Sequence, residues 1–427
     1  MMPQGFLPFK LDTTSDEITP HAGLALFGEF LRSLGLFHDV NRLLPGPRSP
    51  KGYQPAEFVS PLILMLHGGG RTLEDLREIR NDTGLCRLLD MPRIPSSDAS
   101  GDWLRRMGAQ NRGLNALGRV CQILLRRSLN QEATEDYTLD FDASQVIAEK
   151  ESAKVTYKGE VGYMPLIGHL AENGLIVGEE FREGNESPGA GNLQFIKYCE
   201  RQLPRRKRIG AIRADAAAYQ SAIINYCATT QKLFAIGAHL DTAVRNAIHG
   251  IPPANWVPYQ DGHIAETVHS MEDTRESFRL IVVRRPVQPT LSGEVNETER
   301  FKAIATNRFE PAAEALAWYN QRGEASENRI KELKLDFGMD RMPCGTTAAN
   351  AVYFRIGVLA YNLYKMFRDW ALPAAWQKHR VVTVRWKLYQ VAGKIVRHAG
   401  ALLMKLQEWS YNLFTEIRLA YHELDWT

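Results

Sequence analysis

Near residue 135 the patterning of the chain changes, and this limits its fold more than any other feature. Before that point apolar residues recur at helical spacing, in LALFGEFLRSLGLF (24–37), again over 58–66, and in GLNALGRVCQILLRRSL (113–129). After it come short alternating or β-branched runs. TLDFDA (138–143) alternates as a strand does. MPLIGHLA (164–171) and GLIVGEEF (174–181) are two more, separated by the hairpin signal Glu172-Asn173-Gly174. A Gly/Pro-rich loop, EGNESPGAGN (183–192), leads into the helix LQFIKYCERQL. RIGAIRADA (208–216) then reads as a buried strand, AYQSAIINYCA as a helix and KLFAIGA (232–238) as another strand. Three strands, a helix, a strand, a helix and a strand specify a mixed sheet layered with helices.

At 427 residues the chain is too long for one compact core, so two or three domains are expected. In the first of these, Gly68-Gly69-Gly70 breaks the helical pattern, and Thr72 with Glu74 and Asp75 marks a new helix start. PSSDASGDWLRRM (95–107) combines caps and turn formers with a basic helix. It reads either as a small DNA-binding unit or as a capped surface helix carrying Arg105 and Arg106. Residues 240–310 hold further strand candidates, FRLIVVRR (278–285) and FKAIATNRF (301–309), and read as a mainly β insertion. The segment 311–338 is helical with an interruption at Gly323, and 348–367 is apolar nearly all round, hence a buried helix. VVTVRWKL (381–388) reads as a brief strand, followed by a long amphipathic helix to about 420. The expected architecture is α+β with an α/β core. It comprises a helical region (1–133) for DNA or dimer contacts, a core with its β insertion (134–338), and a helical, basic region (339–427).

Composition narrows the class. A 44% hydrophobic and 24% charged content is that of an ordinary globular protein. The net charge is only +3, so any nucleic-acid reading rests on where charge is placed. Five scattered cysteines with no CxxC pair argue against a disulfide framework or zinc ribbon. No signal-peptide pattern opens the chain, and apolar runs such as 62–66 fall far short of the ~20 residues that span a bilayer. A cytoplasmic protein with no membrane partner is therefore expected.

Three acids stand out by placement. Asp142 ends the strand TLDFD, Asp215 ends GAIRAD, and Glu327 lies on the helix after the insertion. Carboxylates at the ends of neighbouring strands, with a third on a packed helix, can converge; such a cluster repels itself unless hard cations such as Mg²⁺ occupy it. Two ions about 3.5–4 Å apart can activate a water or a 3′-hydroxyl for phosphoryl transfer. Each acid also has a plain structural reading, since Asp at a strand end commonly caps a turn. Asp140 competes with Asp142 on the same strand face, but Asp142 is at the strand end beside Ser144. Glu324 and Glu332 compete with Glu327. On the same helix, Lys331 and Lys334 share a face with Glu327. They form either surface Glu–Lys pairs or, beside a metal site, phosphate contacts.

Tyr319, Arg322, Glu327 and Lys334 form Y-x2-R-x4-E-x6-K, which resembles the tyrosine-arginine-glutamate-lysine signature of DDE insertion-sequence transposases, usually with three residues between Arg and Glu. LDFDAS resembles their first-aspartate strand and IRADAAAY their second, with Ser144 for Thr and Ala216-Ala217 for Ser-Gly. HAGLALFGEFL, the Gly-rich break before LEDLREIRND, and the GN-containing loop resemble one branch, the insertion sequence thirteen-eighty group. The resemblance implies a ribonuclease-H-like fold and a metal-binding catalytic triad of Asp142, Asp215 and Glu327, loaded with Mg²⁺ or Mn²⁺. It also implies that Tyr319, Arg322 and Lys334 hold phosphates of the transposon end. The expected partners are double-stranded DNA, as terminal inverted repeats and target, and a second copy of the chain, at the nucleoid.

Basic stretches add candidate DNA contacts. Arg205, Arg206, Lys207 and Arg208 form a dense run before the Asp215 strand. Between 378 and 405 there are seven Lys/Arg and no acid, interleaved with Trp386 and Tyr389. Trp256 can stack on a flipped base or bury itself in the insertion's own core. His169, on the apolar strand LIGHL, reads as a satisfied core histidine. Two other functions stay open: a degenerate, transposase-derived DNA-binding protein, motivated by Ala216-Ala217, and a nuclease of the same fold that never joins strands.

Overall fold

The computed structural model describes residues 9–286 and 299–424, without the side chains at 299, 324 and 325. Residues 1–8, part of the stretch searched for a signal peptide, lie outside it. Among the described residues no helix is long and apolar enough to cross a membrane.

A nine-stranded mixed sheet forms the centre. In spatial order its strands are Val257–Tyr259, Gly262–His269, Phe278–Pro286, Glu299–Thr306, Leu233–Gly237, Arg208–Ala214, Asp136–Ala143, Leu166–Leu170 and Ile176–Glu180. Asp136–Ala143 and Leu233–Gly237 flank Arg208–Ala214 in parallel; the other pairings are antiparallel. Asp140 pairs with Arg213 and Phe141 with Ala214, so Asp142 and Asp215 emerge next to each other at the same end of the sheet.

Alternation in Asp136–Ala143 assigns the two faces. Tyr137, Leu139 and Phe141 are buried on one side, where Phe141 meets Phe195 of the helix Asn192–Gln202. Asp140 and Asp142 point to the other side, which is covered by the helix Ala312–Lys331. Its residues Ala315, Leu316 and Tyr319 pack into a second apolar core with Ala235, Ile264, Ile281, Val283 and Ile304. The insertion opens with a helix, Thr242–His249, and its strands then continue the central sheet. The helix Ala312–Lys331 therefore lies on core strands and on insertion strands alike. Residues 287–298 of the insertion lie outside the described chain.

The helix Thr347–Trp370 is buried along most of its length. It packs against Pro55–Gly68, Ser97–Gly108, Arg112–Asn130 and the edge strand Ile176–Glu180. Asn362 fixes that edge by accepting from the Ile176 N–H (2.9 Å) and donating to its carbonyl (2.8 Å). N- and C-terminal helices thus share one core.

Three local expectations are corrected. Gly323 does not interrupt its helix, which runs from Ala312 to Lys331 and continues into a π-turn at Glu332–Asp336. Residues 381–388 are helical, as Val381–Val384 and the π-turn Arg385–Tyr389. No single helix runs from there to about 420. A hairpin, Gly393–His398 with Ala401–Lys405, pairs with Glu17–Thr19 in a three-stranded sheet and precedes the helix Glu408–His422.

Candidate active site

At the sheet end carrying the two aspartates, a cleft of about 590 Å³ is lined by Asp142, Ser144, Gln145, Lys158, Glu327, Lys331, Lys334 and Asp340, among others. Asp142 is only 26% exposed. Burial pushes its carboxyl up to about 6, with Arg322 opposing and the charges of Asp215 and Glu327 adding to the rise. Its ionisation is therefore sensitive to both other acids of the expected triad, although the three come from distant parts of the sequence. Asp215 caps a short turn at Ala216–Ala218, one carboxylate oxygen accepting from the Ala217 N–H at 3.0 Å. The Ala-Ala sequence after it is thus compatible with a capped turn.

Arg322 is buried beneath Asp142. Its Nη2 is 3.3 Å from the Asp142 carboxylate and donates weakly to the Phe141 carbonyl at 3.4 Å, and its Nε has no hydrogen-bond partner among the described residues. Tyr319 is also mostly buried, with its hydroxyl near Gly237 and the turn after Asp215, and with Lys302 over its ring at 5.3 Å. Burial holds the Tyr319 phenol above its ordinary range, and the charges of Asp215 and Asp142 raise it further against Arg322. Lys334 donates to the Gln145 carbonyl at 2.6 Å, tying the π-turn to the loop after Asp142, while Lys331 is exposed at the rim. Burial lowers the Lys334 ammonium below the usual lysine range.

The competing acids are placed differently. Asp140 is fully buried and bound by both arms of the Arg213 guanidinium, at 2.7 and 2.8 Å. Glu332 faces the interior, where burial raises its carboxyl against the charge of Lys365. The side chain of Glu324 lies outside the described residues. His169 is a core residue but not a satisfied one: among the described residues neither ring nitrogen has a hydrogen-bond partner, and Nε2 is 3.8 Å from Asp140. Burial, together with the charges of Arg329, Arg322, Arg213 and Lys365, holds its imidazole well below the usual histidine range.

The expected basic contacts are dispersed. Arg205–Arg208 lies at the start of the Arg208–Ala214 strand, so the run is at the opposite end of the sheet from Asp215. There Lys207 donates to the carbonyls of Glu132 and Thr134 and Arg208 pairs with Asp136, whereas Arg205 and Arg206 are exposed. Trp256 is half-buried, with Phe301 nearby and Arg284 over its ring at 4.6 Å. Tyr389 is buried and bonded to His67, and Arg385 donates to the carbonyls of Leu66, His67 and Asp336; both are structural. Trp386, 77% exposed, lines a separate cleft with Trp376, Lys387 and Trp409. Arg105, paired with Asp102, faces a groove with Arg71, Lys150 and Arg341. That groove shares Ile147 and Asp340 with the acid-lined cleft.

Lys158 was not legible as a site residue. It stands in a turn between the short strands Lys154–Val155 and Val161–Tyr163, and only the fold brings that turn to the cleft.

A large mixed sheet layered with helices, with acids gathered at the ends of adjacent parallel strands, is compatible with the ribonuclease-H-like fold of DDE transposases, a class of DNA-processing enzymes. The chain belongs to the family described as transposase DDE domain group 1, whose model matches residues 7–423. No curated protein matches it. The family implies DNA binding and transposition, and its members generally use divalent metal ions. The donors around this cleft are hard carboxylate oxygens, the type such ions prefer. Among the described residues, however, no three His, Cys, Asp or Glu side chains are close enough together to hold one ion. The donor chemistry fits; the cage is not closed, and Arg322 supplies the positive charge beside Asp142.

Proposed function

We propose that this transposase, of the insertion sequence thirteen-eighty group, cleaves the terminal inverted repeats of its own element and joins the freed 3′-hydroxyl to target DNA. Asp142, Asp215 and Glu327 would hold Mg²⁺, or Mn²⁺ in its place. The ions would supply activation of the attacking oxygen and charge stabilisation at the leaving oxygen. The reading is carried by the placement of Asp142 and Asp215 at the same end of adjacent parallel strands, with Glu327 lining the cleft beside Asp142.

The remaining roles follow from the side chains themselves. Arg322, 3.3 Å from the Asp142 carboxylate, would hold a phosphate of the transposon end. Tyr319 stiffens the helix against the sheet and presents its hydroxyl beside the Asp215 turn. Lys331 and Lys334 face the cleft and would position the DNA backbone as point charges. Transposition requires two ends held together, which calls for at least two copies of the chain.

Asp215→Asn tests the reading. It should abolish Mg²⁺-dependent nicking of DNA carrying the element's ends, at least a thousandfold, while end affinity stays within about twofold. Nicking at the wild-type rate refutes the proposal.

A further inference from the structure

Behind the cleft lies a buried contact that neither the family membership nor the proposed triad assigns. Asp140 and Asp142 occupy alternate positions on one strand, and Arg213 and Asp215 do so on its parallel neighbour, in matched register. The Arg213 guanidinium bonds both Asp140 oxygens, Nε at 2.7 Å and Nη2 at 2.8 Å, with side-chain exposures of 3% and 0%. Its third nitrogen, Nη1, donates to the backbone carbonyl of Trp318 at 2.7 Å, and the guanidinium lies over the Trp318 ring at 4.9 Å. Trp318 belongs to the helix that carries Tyr319, Arg322 and Glu327. One planar cation therefore touches all three elements that carry the proposed triad, one step behind the carboxylates.

A buried ion pair is a poor device for stability, because desolvating two charges offsets most of their attraction; its best-attested use is to specify geometry. The forked guanidinium suits that use, since its hydrogen bonds have fixed directions that an ammonium lacks.

We propose that Arg213, braced by Asp140, is a positioning residue: it sets the spacing of the Asp142 and Asp215 strand ends and of the Glu327 helix, and through them the affinity for divalent cations. This rests on the triad reading above.

Two variants test it. Arg213→Lys keeps a charge but loses the fork. Asp140→Leu combined with Arg213→Met replaces the pair by apolar side chains of similar volume, leaving no unpaired buried charge. Mn²⁺ binding is read by electron paramagnetic resonance on the protein with end DNA, alongside Mg²⁺ titration of nicking, end affinity and thermal unfolding. Loss of outer-shell support typically costs about 10–100-fold in metal affinity. Both variants should bind Mn²⁺ about that much more weakly and regain nicking at high Mg²⁺, with end affinity within about twofold. Asp215→Asn should not regain it. Folded variants with wild-type Mn²⁺ affinity overturn the proposal, as does loss of folding in both variants, which would assign the pair to stability alone. Failure of the wild-type protein to bind Mn²⁺ or to nick would sink the triad reading itself, a distinguishable result.

Discussion

Asp142 is held between opposing influences. Burial and two neighbouring acids disfavour its charge, while Arg322 favours it, and the balance leaves the carboxyl near 6. An ordinary aspartate titrates near 3.8, so between those values the folded protein binds more protons than the unfolded chain. Stability contributed by this group is therefore lost as pH rises towards 6 and is level above it. A divalent cation reverses that loss only where the carboxylate is ionised. Saturating Mg²⁺ should raise the melting temperature more at pH 8 than at pH 5, and equal gains in thermal denaturation at both would contradict this. The same residue shows what a sequence can reveal: the strand-end position beside Ser144 distinguishes Asp142 from Asp140. That Asp140 is gripped by Arg213 is invisible without the register, because spacing along one strand carries no information about its neighbour.

Elements were legible where period and composition agreed. The core strands and their helices follow from alternation and apolar runs, and the buried helix Thr347–Trp370 from its all-round apolar surface. The region from 381 to 405 was misread for tertiary reasons. The β-branched run at 381–384 is helical because Arg385, just beyond it, anchors on three carbonyls from other segments. The hairpin after it turns on Ala399 and Gly400, both with positive φ. Its usual markers are Asn-Gly or Asp-Gly, and an alanine in the left-handed region gives no such signal. Gly323 misled in the opposite direction. A Cβ added there meets nothing within 4 Å among the described residues and the backbone is helical, so Gly323→Ala should stabilise the protein by about 0.5–1 kcal/mol in denaturant titration. A destabilised variant would show that this helix is not continuous in solution.

Among the described residues, the helix Thr347–Trp370 joins the N- and C-terminal helices to the sheet in one core, while the helix carrying Tyr319 and Glu327 rests on the second. The exposed arginines 205 and 206 lie at the far end of the sheet from the acids. We propose that they bind DNA away from the cut. Replacing both by alanine should weaken end binding and flatten the log–log salt dependence by about 2, with the nicking rate at saturating protein unchanged. An unaltered salt slope removes them from the interface.

In the proposed reaction Asp142, Asp215 and Glu327 would share divalent cations beside a scissile phosphate. Anomalous diffraction from crystals of the protein bound to end DNA and soaked in Mn²⁺ measures this directly. The expected result is a manganese peak ligated by Asp142 and Asp215, with Glu327 completing the site and Arg322 turned from Asp142 to a phosphate. Manganese bound elsewhere, with Asp142 still paired to Arg322 in the DNA complex, would contradict it.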